Sequence, residues 1–241
     1  MLESSVAFDA EARRQARANA LVLAVCQALA QGGAVLVIVV SALVGQELAE
    51  NKALATVPFA LQFVMTMIST VPASLLMGRI GRRAGFTIGQ IIGILGAGLA
   101  AAAIHAGDFF LFAAGSAILG IHNAFWQYYR FAAADMADED FRPKAISYVM
   151  AGGLVAAFLG PEIAKLTRDG IAEAAFAGSY LALAGMCLVN IALLRMVRIP
   201  RPTTALFAGR PLGAIVRSPV FLVAAAAAMI GYASMNLVMT A

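Results

Sequence analysis

Three pairs of residues stand four apart inside otherwise apolar surroundings: Gln27 and Gln31, His122 and Trp126, and Tyr232 and Asn236. That spacing puts both members of a pair on one face of a helix. An amide pair offers donors and acceptors together. An imidazole can contact a ligand or carry a proton, and an indole can stack on a planar molecule. Asn123 and Gln127 stand beside the second pair, and Arg130 continues its stripe. Polar side chains in such surroundings tend to face a bundle interior or a water-filled cavity. Each pair also has a plainer reading. The amides can hydrogen-bond between helices, His122 can pack as a satisfied core residue, and Trp126 can join Tyr128 and Tyr129 in an interfacial aromatic belt. Arg130 reads as an anchor at the end of its segment. Glu162 is the one acid within the body of an apolar run. It is a candidate coupling carboxylate, or else a partner of Lys165 or Arg168.

Other chemistries lack their residues. The sequence holds no HExxH, no GxSxG and no paired aspartates within an apolar run. Its two cysteines, Cys26 and Cys187, lie in apolar runs without CxxC spacing, and two histidines are too few for a multi-histidine centre. We therefore expect no metal, no cofactor and no enzymatic activity; a membrane-embedded enzyme is the weaker alternative. Asp135, Asp138, Glu139 and Asp140 meet Arg142 and Lys144 in one stretch whose spacing does not suit a calcium loop. That stretch reads as a solvated loop touching neighbouring turns.

The elements that must position these residues follow from composition. Of 241 residues, 62% are hydrophobic and 12% charged, and mean hydropathy is +0.86. Soluble domains are nearer half apolar and a quarter charged. Seven apolar runs approach or exceed the roughly 20 residues a span requires: 18–44, 54–77, 85–105, 109–131, 145–166, 174–197 and 219–241. They lack the period-2 alternation of a barrel, so an all-α membrane protein is expected. The net charge of +4 does not point to nucleic acid, because the basic residues form no single block. Fourteen of the 17 fall before run 1 and between runs 2 and 3, 4 and 5, and 6 and 7. The positive-inside rule then places the N-terminus in the cytoplasm, in the inner membrane of a bacterial cell.

The expected organisation is an N-terminal cytoplasmic segment (1–17), a six-helix transmembrane bundle (18–197), a cytoplasmic linker (198–218) and a seventh span (219–241). Pro200, Pro202 and Pro211 mark the linker as a boundary. The chain stops on apolar residues at Ala241, which suggests a truncated chain. Arg79 and Gly81 follow Pro72 at the offsets at which Arg168 and Gly170 follow Pro161. The match hints at an inverted three-plus-three repeat, although chance can produce it.

This layout resembles the first half of a major facilitator superfamily transporter plus its seventh helix. The stretch from Ser74 to Arg83 falls on the family's loop signature between helices 2 and 3. Arg79, Gly81, Arg82 and Arg83 supply its R-x-G-R-R core, while Gly78 stands where the signature has an acid. In the family that acid is thought to help lock an outward-open state. Gly160-Pro161 resembles the Gly-Pro core of a helix 5 motif found in many antiporters of the superfamily, and also reads simply as a kink. HNAFWQYYRFAAAD (122–135) and FRPKAISYVMAGG (141–153) are similar to a subgroup that includes riboflavin transporters.

The resemblance implies secondary transport of a small organic solute by alternating access. It places Gln27, Gln31, His122, Asn123, Trp126, Gln127, Tyr232 and Asn236 on helices that line the central cavity. It also implies a bilayer, a small-molecule substrate, and a missing C-terminal half or a second copy as partners, with no nucleic acid. Alone, the chain would be inactive. A non-transporting membrane protein or degraded gene product is the alternative.

Overall fold

A computed structural model describes residues 2–168, 176–197 and 217–240, together with Gly213. Gly170 and most of the 198–218 linker lie outside the described residues. The chain divides into two compact units, Met1–Arg201 and Pro202–Ala241.

The first unit contains α1 (Leu2–Leu48), a short 3-10 turn (Lys52–Leu54), α2 (Val57–Ile80), α3 (Arg82–Ala106), α4 (Phe109–Trp126), α5 (Tyr129–Asp135), α6 (Arg142–Thr167) and α7 (Ala177–Met196). In the second unit, α8 covers Pro219–Thr240. Among the described residues, six segments of the first unit are long and apolar enough to cross a membrane. An α-helix rises 1.5 Å per residue, so the 24-residue α2 reaches about 36 Å, enough for the roughly 30 Å hydrocarbon core. α1 begins well before the first apolar run and carries its helix through residues 2–17.

The turns are set by local chemistry. Gly81 joins α2 to α3 with φ 91°, and its amide donates to the Met77 carbonyl at 2.9 Å. A side chain at that φ would be strained, so the glycine of the 79–83 signature has a backbone reason. Gly107 closes α3 in the left-handed region, and Asp108 caps α4 by accepting from the Leu111 amide at 3.0 Å. Pro72 and Pro161 lie inside α2 and α6, which continue past them.

One expectation needs correction. The fourth apolar run is not a single helix. It turns at Gln127 and Tyr128, splitting into α4 and α5, with the Tyr128 amide donating to the Phe125 carbonyl at 3.2 Å. The cause is visible: Tyr128 Oη donates to the Thr70 carbonyl on α2, and Tyr129 is fully buried against Phe86 on α3. Anchoring adjacent residues to different helices twists the backbone between them.

Packing follows a two-fold pattern. α1 packs on α6 as α4 packs on α2; α3 packs on α4 as α7 packs on α1; and α3 meets α7 at the centre. Exchanging the first three spans with the second three reproduces this set, the inverted three-plus-three arrangement. Small residues allow the close seams. A Cβ on Gly160 would lie 2.8 Å from the Gly32 carbonyl oxygen, so the Gly-Pro motif marks a close approach of α6 to α1. The faces of α2 and α6 carrying Val64, Met67, Ile68, Val71, Leu154 and Phe158 remain exposed.

The basic end is laced together. Arg82 pairs with Asp135 at 2.5 Å, Arg13 with Asp138 at 2.9 Å, and Arg83 donates to the Arg195 carbonyl at 3.0 Å. The acidic 135–140 loop therefore contacts neighbouring elements. These partly exposed pairs contribute little individually, about 0–1 kcal/mol.

Candidate functional site

The stripes anticipated from spacing fall into different environments. On α1, Gln27 donates to Gln31 Oε1 at 3.0 Å; Gln27 is buried and Gln31 half-buried. The pair faces α6, where a Cβ on Gly153 would stand 2.7 Å from Gln31 Oε1. The absence of a side chain at Gly153 gives the amide its room.

His122 points into the bundle and is 2% exposed. Its Nδ1 donates to the Gly89 carbonyl on α3 at 2.8 Å. A Cβ on Gly93 would lie 2.7 Å from that Nδ1 and 2.9 Å from Cys187 Sγ on α7, so the imidazole sits where three helices converge. Nε2 is buried without a partner among the described residues. An unsatisfied group of this kind costs about 1–3 kcal/mol.

Asn123, Trp126 and Gln127 are half-buried. Asn123 Oδ1 accepts from Trp126 Nε1 at 3.0 Å, which holds the indole and leaves the Asn123 amide donors uncommitted to that bond. His122 and Trp126 thus diverge although they are four apart: the first is enclosed in the core, and the second lies half-buried at its margin.

Tyr232 and Asn236 lie on α8 with side chains outside the described residues. Glu162 is exposed and pairs with Lys165 at 2.9 Å. No group of three or more histidine, cysteine or acidic residues suited to a metal occurs among the described residues. Two shallow clefts, of about 500 and 610 Å³, open away from the Arg79–Arg83 turn, one around Asn51 and Asp108 and the other around Glu47, Pro161 and Arg168. Neither touches the polar face of α4.

Gln90 and Asn190 are among the buried polar residues that escaped the spacing analysis. Gln90 on α3 donates to Tyr129 Oη at 2.8 Å, and Asn190 on α7 donates to the Cys26 carbonyl at 3.4 Å. Both were detectable as isolated amides inside apolar runs; neither has a polar neighbour four residues away to form a stripe.

Accessibility separates the two kinds of position. In a chain with Cys26 and Cys187 replaced by alanine, Trp126→Cys and Gln127→Cys should react with a hydrophilic thiol reagent, while His122→Cys should not. Equal labelling at 122 and 126 would overturn the assignment of His122 to the core.

A membrane-spanning helical bundle with an inverted three-plus-three repeat and one broken, polar span defines a polytopic protein of the kind seen among secondary carriers. The chain belongs to the major facilitator superfamily, whose family model matches residues 21–241. It is similar to the riboflavin transporter RfnT of Brucella anthropi, with 41% identity over 230 residues covering 94% of this chain and 58% of that protein. It is also similar to the uncharacterized MFS-type transporter YdeG of Bacillus subtilis, with 29% identity over 202 residues covering 82% of this chain and 47% of that one. The chain therefore spans about half the length of these relatives.

Proposed function

We propose that this chain forms the first bundle of an alternating-access transporter for a small organic solute, with a planar aromatic of the riboflavin kind as substrate. The observation that carries this reading is the 41% identity to a riboflavin transporter across nearly the whole chain. The half-buried, pinned indole of Trp126 supports it, since such a ring gives a flat solute a stacking surface. The distribution of arginines supports a cytoplasmic N-terminus in a bacterial inner membrane.

Rocking transport works between two bundles with the site between them. The relatives are roughly twice as long as the region matched here. In this reading residues 18–197 supply one bundle, 198–218 a cytoplasmic linker and 219–241 the first helix toward the second. The partner is then a C-terminal half or a second copy, and the chain alone is inactive. Glu162 stays a candidate for ion coupling.

The test is uptake of radiolabelled riboflavin by a riboflavin-auxotrophic bacterium that lacks its own transporter. The chain alone should give background uptake. Joined to the C-terminal half of the Brucella anthropi relative, it should give saturable uptake competed by unlabelled riboflavin. Saturable uptake by the chain alone would remove the need for a second half. Well-expressed, membrane-inserted fusion without uptake would sink the substrate assignment.

A further inference from the structure

Arg130 is left without a role by the reading above, on which the following rests. It lies inside the fourth span, half-buried, with its Nε fully shielded and lacking a partner among the described residues. Its guanidinium carbon sits 5.0 Å over the Phe131 ring. Of the acids that follow it in the chain, Asp135 pairs with Arg82 and Asp138 with Arg13. Arg142, by contrast, finds an acceptor in the Ala134 carbonyl at 3.3 Å. A charged group in a span is costly and by default marks a functional position. A guanidinium offers five donors in a rigid planar fork.

Register supplies the rest. Asn123, Trp126 and Arg130 stand at i, i+3 and i+7, one helical face. The α4–α5 break tightens the helix without reversing its hand, because Gln127 (φ −57°, ψ −20°) and Tyr128 (φ −84°, ψ −3°) both stay in the right-handed region, so Arg130 follows Trp126 about one turn further along. The face therefore presents a fixed ring plane with amide donors on one side and a guanidinium one turn further along. Nothing on this stripe is an obligate acceptor.

We propose that Arg130 is a specificity-determining residue, reading the acceptor edge of a planar heteroaromatic whose ring lies on Trp126. The substrate class is then a flat ring bearing adjacent carbonyl or ring-nitrogen acceptors, and a flat apolar ring alone is a poor ligand.

The chain has a single tryptophan, Trp126, so its fluorescence reports binding at this face directly. Quenching is titrated on the purified chain in lipid nanodiscs with riboflavin and with phenazine, a tricyclic ring without carbonyls. The wild-type chain should prefer riboflavin by about tenfold or more. Arg130→Gln should lose most of that preference while its phenazine affinity changes less than about twofold, and Arg130→Lys, which keeps the charge but not the fork, should fall between. An unchanged preference in Arg130→Gln overturns the inference and makes Arg130 a snorkelling anchor. Should that variant not fold, an unchanged preference in Arg130→Lys does the same. Wild-type quenching by both rings alike overturns the inference and leaves the planar-aromatic reading standing. Quenching by neither ring overturns the inference, and the uptake test on the fused protein then decides the planar-aromatic reading separately.

Discussion

Gly152→Val is expected to abolish the folded bundle. A Cβ at Gly152 would stand 2.2 Å from the Ala24 carbonyl oxygen, 3.1 Å from its carbon and 3.2 Å from the Ala28 nitrogen. All three are backbone atoms of α1, and a helix backbone cannot yield as a side chain tip can. Ordinary overpacking costs about 1–3 kcal/mol. Here relief requires the whole α1–α6 seam to open, so the loss should exceed that range and consume much of a typical 5–15 kcal/mol stability. In a domain of this size about 3 kcal/mol corresponds to roughly 6–12 °C, and a fall in Tm at or beyond that range, with most of the protein lost on gel filtration in detergent, is the expected result. Gly185→Ala provides the control. It faces open space, with nothing within 4 Å of its Cβ, and should be neutral or stabilising by about 0.5–1 kcal/mol, the ordinary gain over glycine inside a helix. A Gly152→Val melt within a degree or two of wild type would refute the close seam.

The contrast between those two glycines shows where sequence reading ended. Hydrophobic runs revealed the spans because the hydrocarbon core sets their length directly. Arginine placement and the 79–83 stretch pointed to the family for similar reasons: a tight turn has few solutions, and Gly81 carries the positive φ such a turn demands. An apolar run does not say which neighbour it will meet. Gly152 and Gly185 look alike in sequence, yet one touches backbone and the other faces space. The same gap explains His122 and Trp126. Their spacing implied one stripe, while the contact with Gly89 makes the first a core residue. The break at Gln127–Tyr128 was hidden because no proline or glycine marks it; long-range anchors make it. Arg130 could be located in the chain, but that no acid among the described residues pairs with it could be seen only in the structure, where Asp135 and Asp138 are taken by Arg82 and Arg13.

The second large effect concerns Gln90 and Tyr129. Both are buried, Gln90 1% and Tyr129 0% exposed, and Gln90 Nε2 donates to Tyr129 Oη at 2.8 Å. Gln90 Oε1 has no partner among the described residues. Tyr129→Phe preserves the edge-to-face contact with Phe86, whose ring centre is 4.7 Å away, and removes only the hydroxyl. It would leave the Gln90 amide without its bond, at about 1–3 kcal/mol. Gln90→Leu leaves the Tyr129 hydroxyl unpaired but also removes the amide oxygen, so it should cost less than Tyr129→Phe. Joining the two changes removes both polar groups from an apolar interior, and the double variant should be more stable than Tyr129→Phe alone. Chemical or thermal unfolding of the four proteins in detergent gives the cycle directly. Additive losses in the double variant would mean that the two groups do not depend on each other, and the hydrogen bond joining α3 to α5 would have to be abandoned as a stabilising contact.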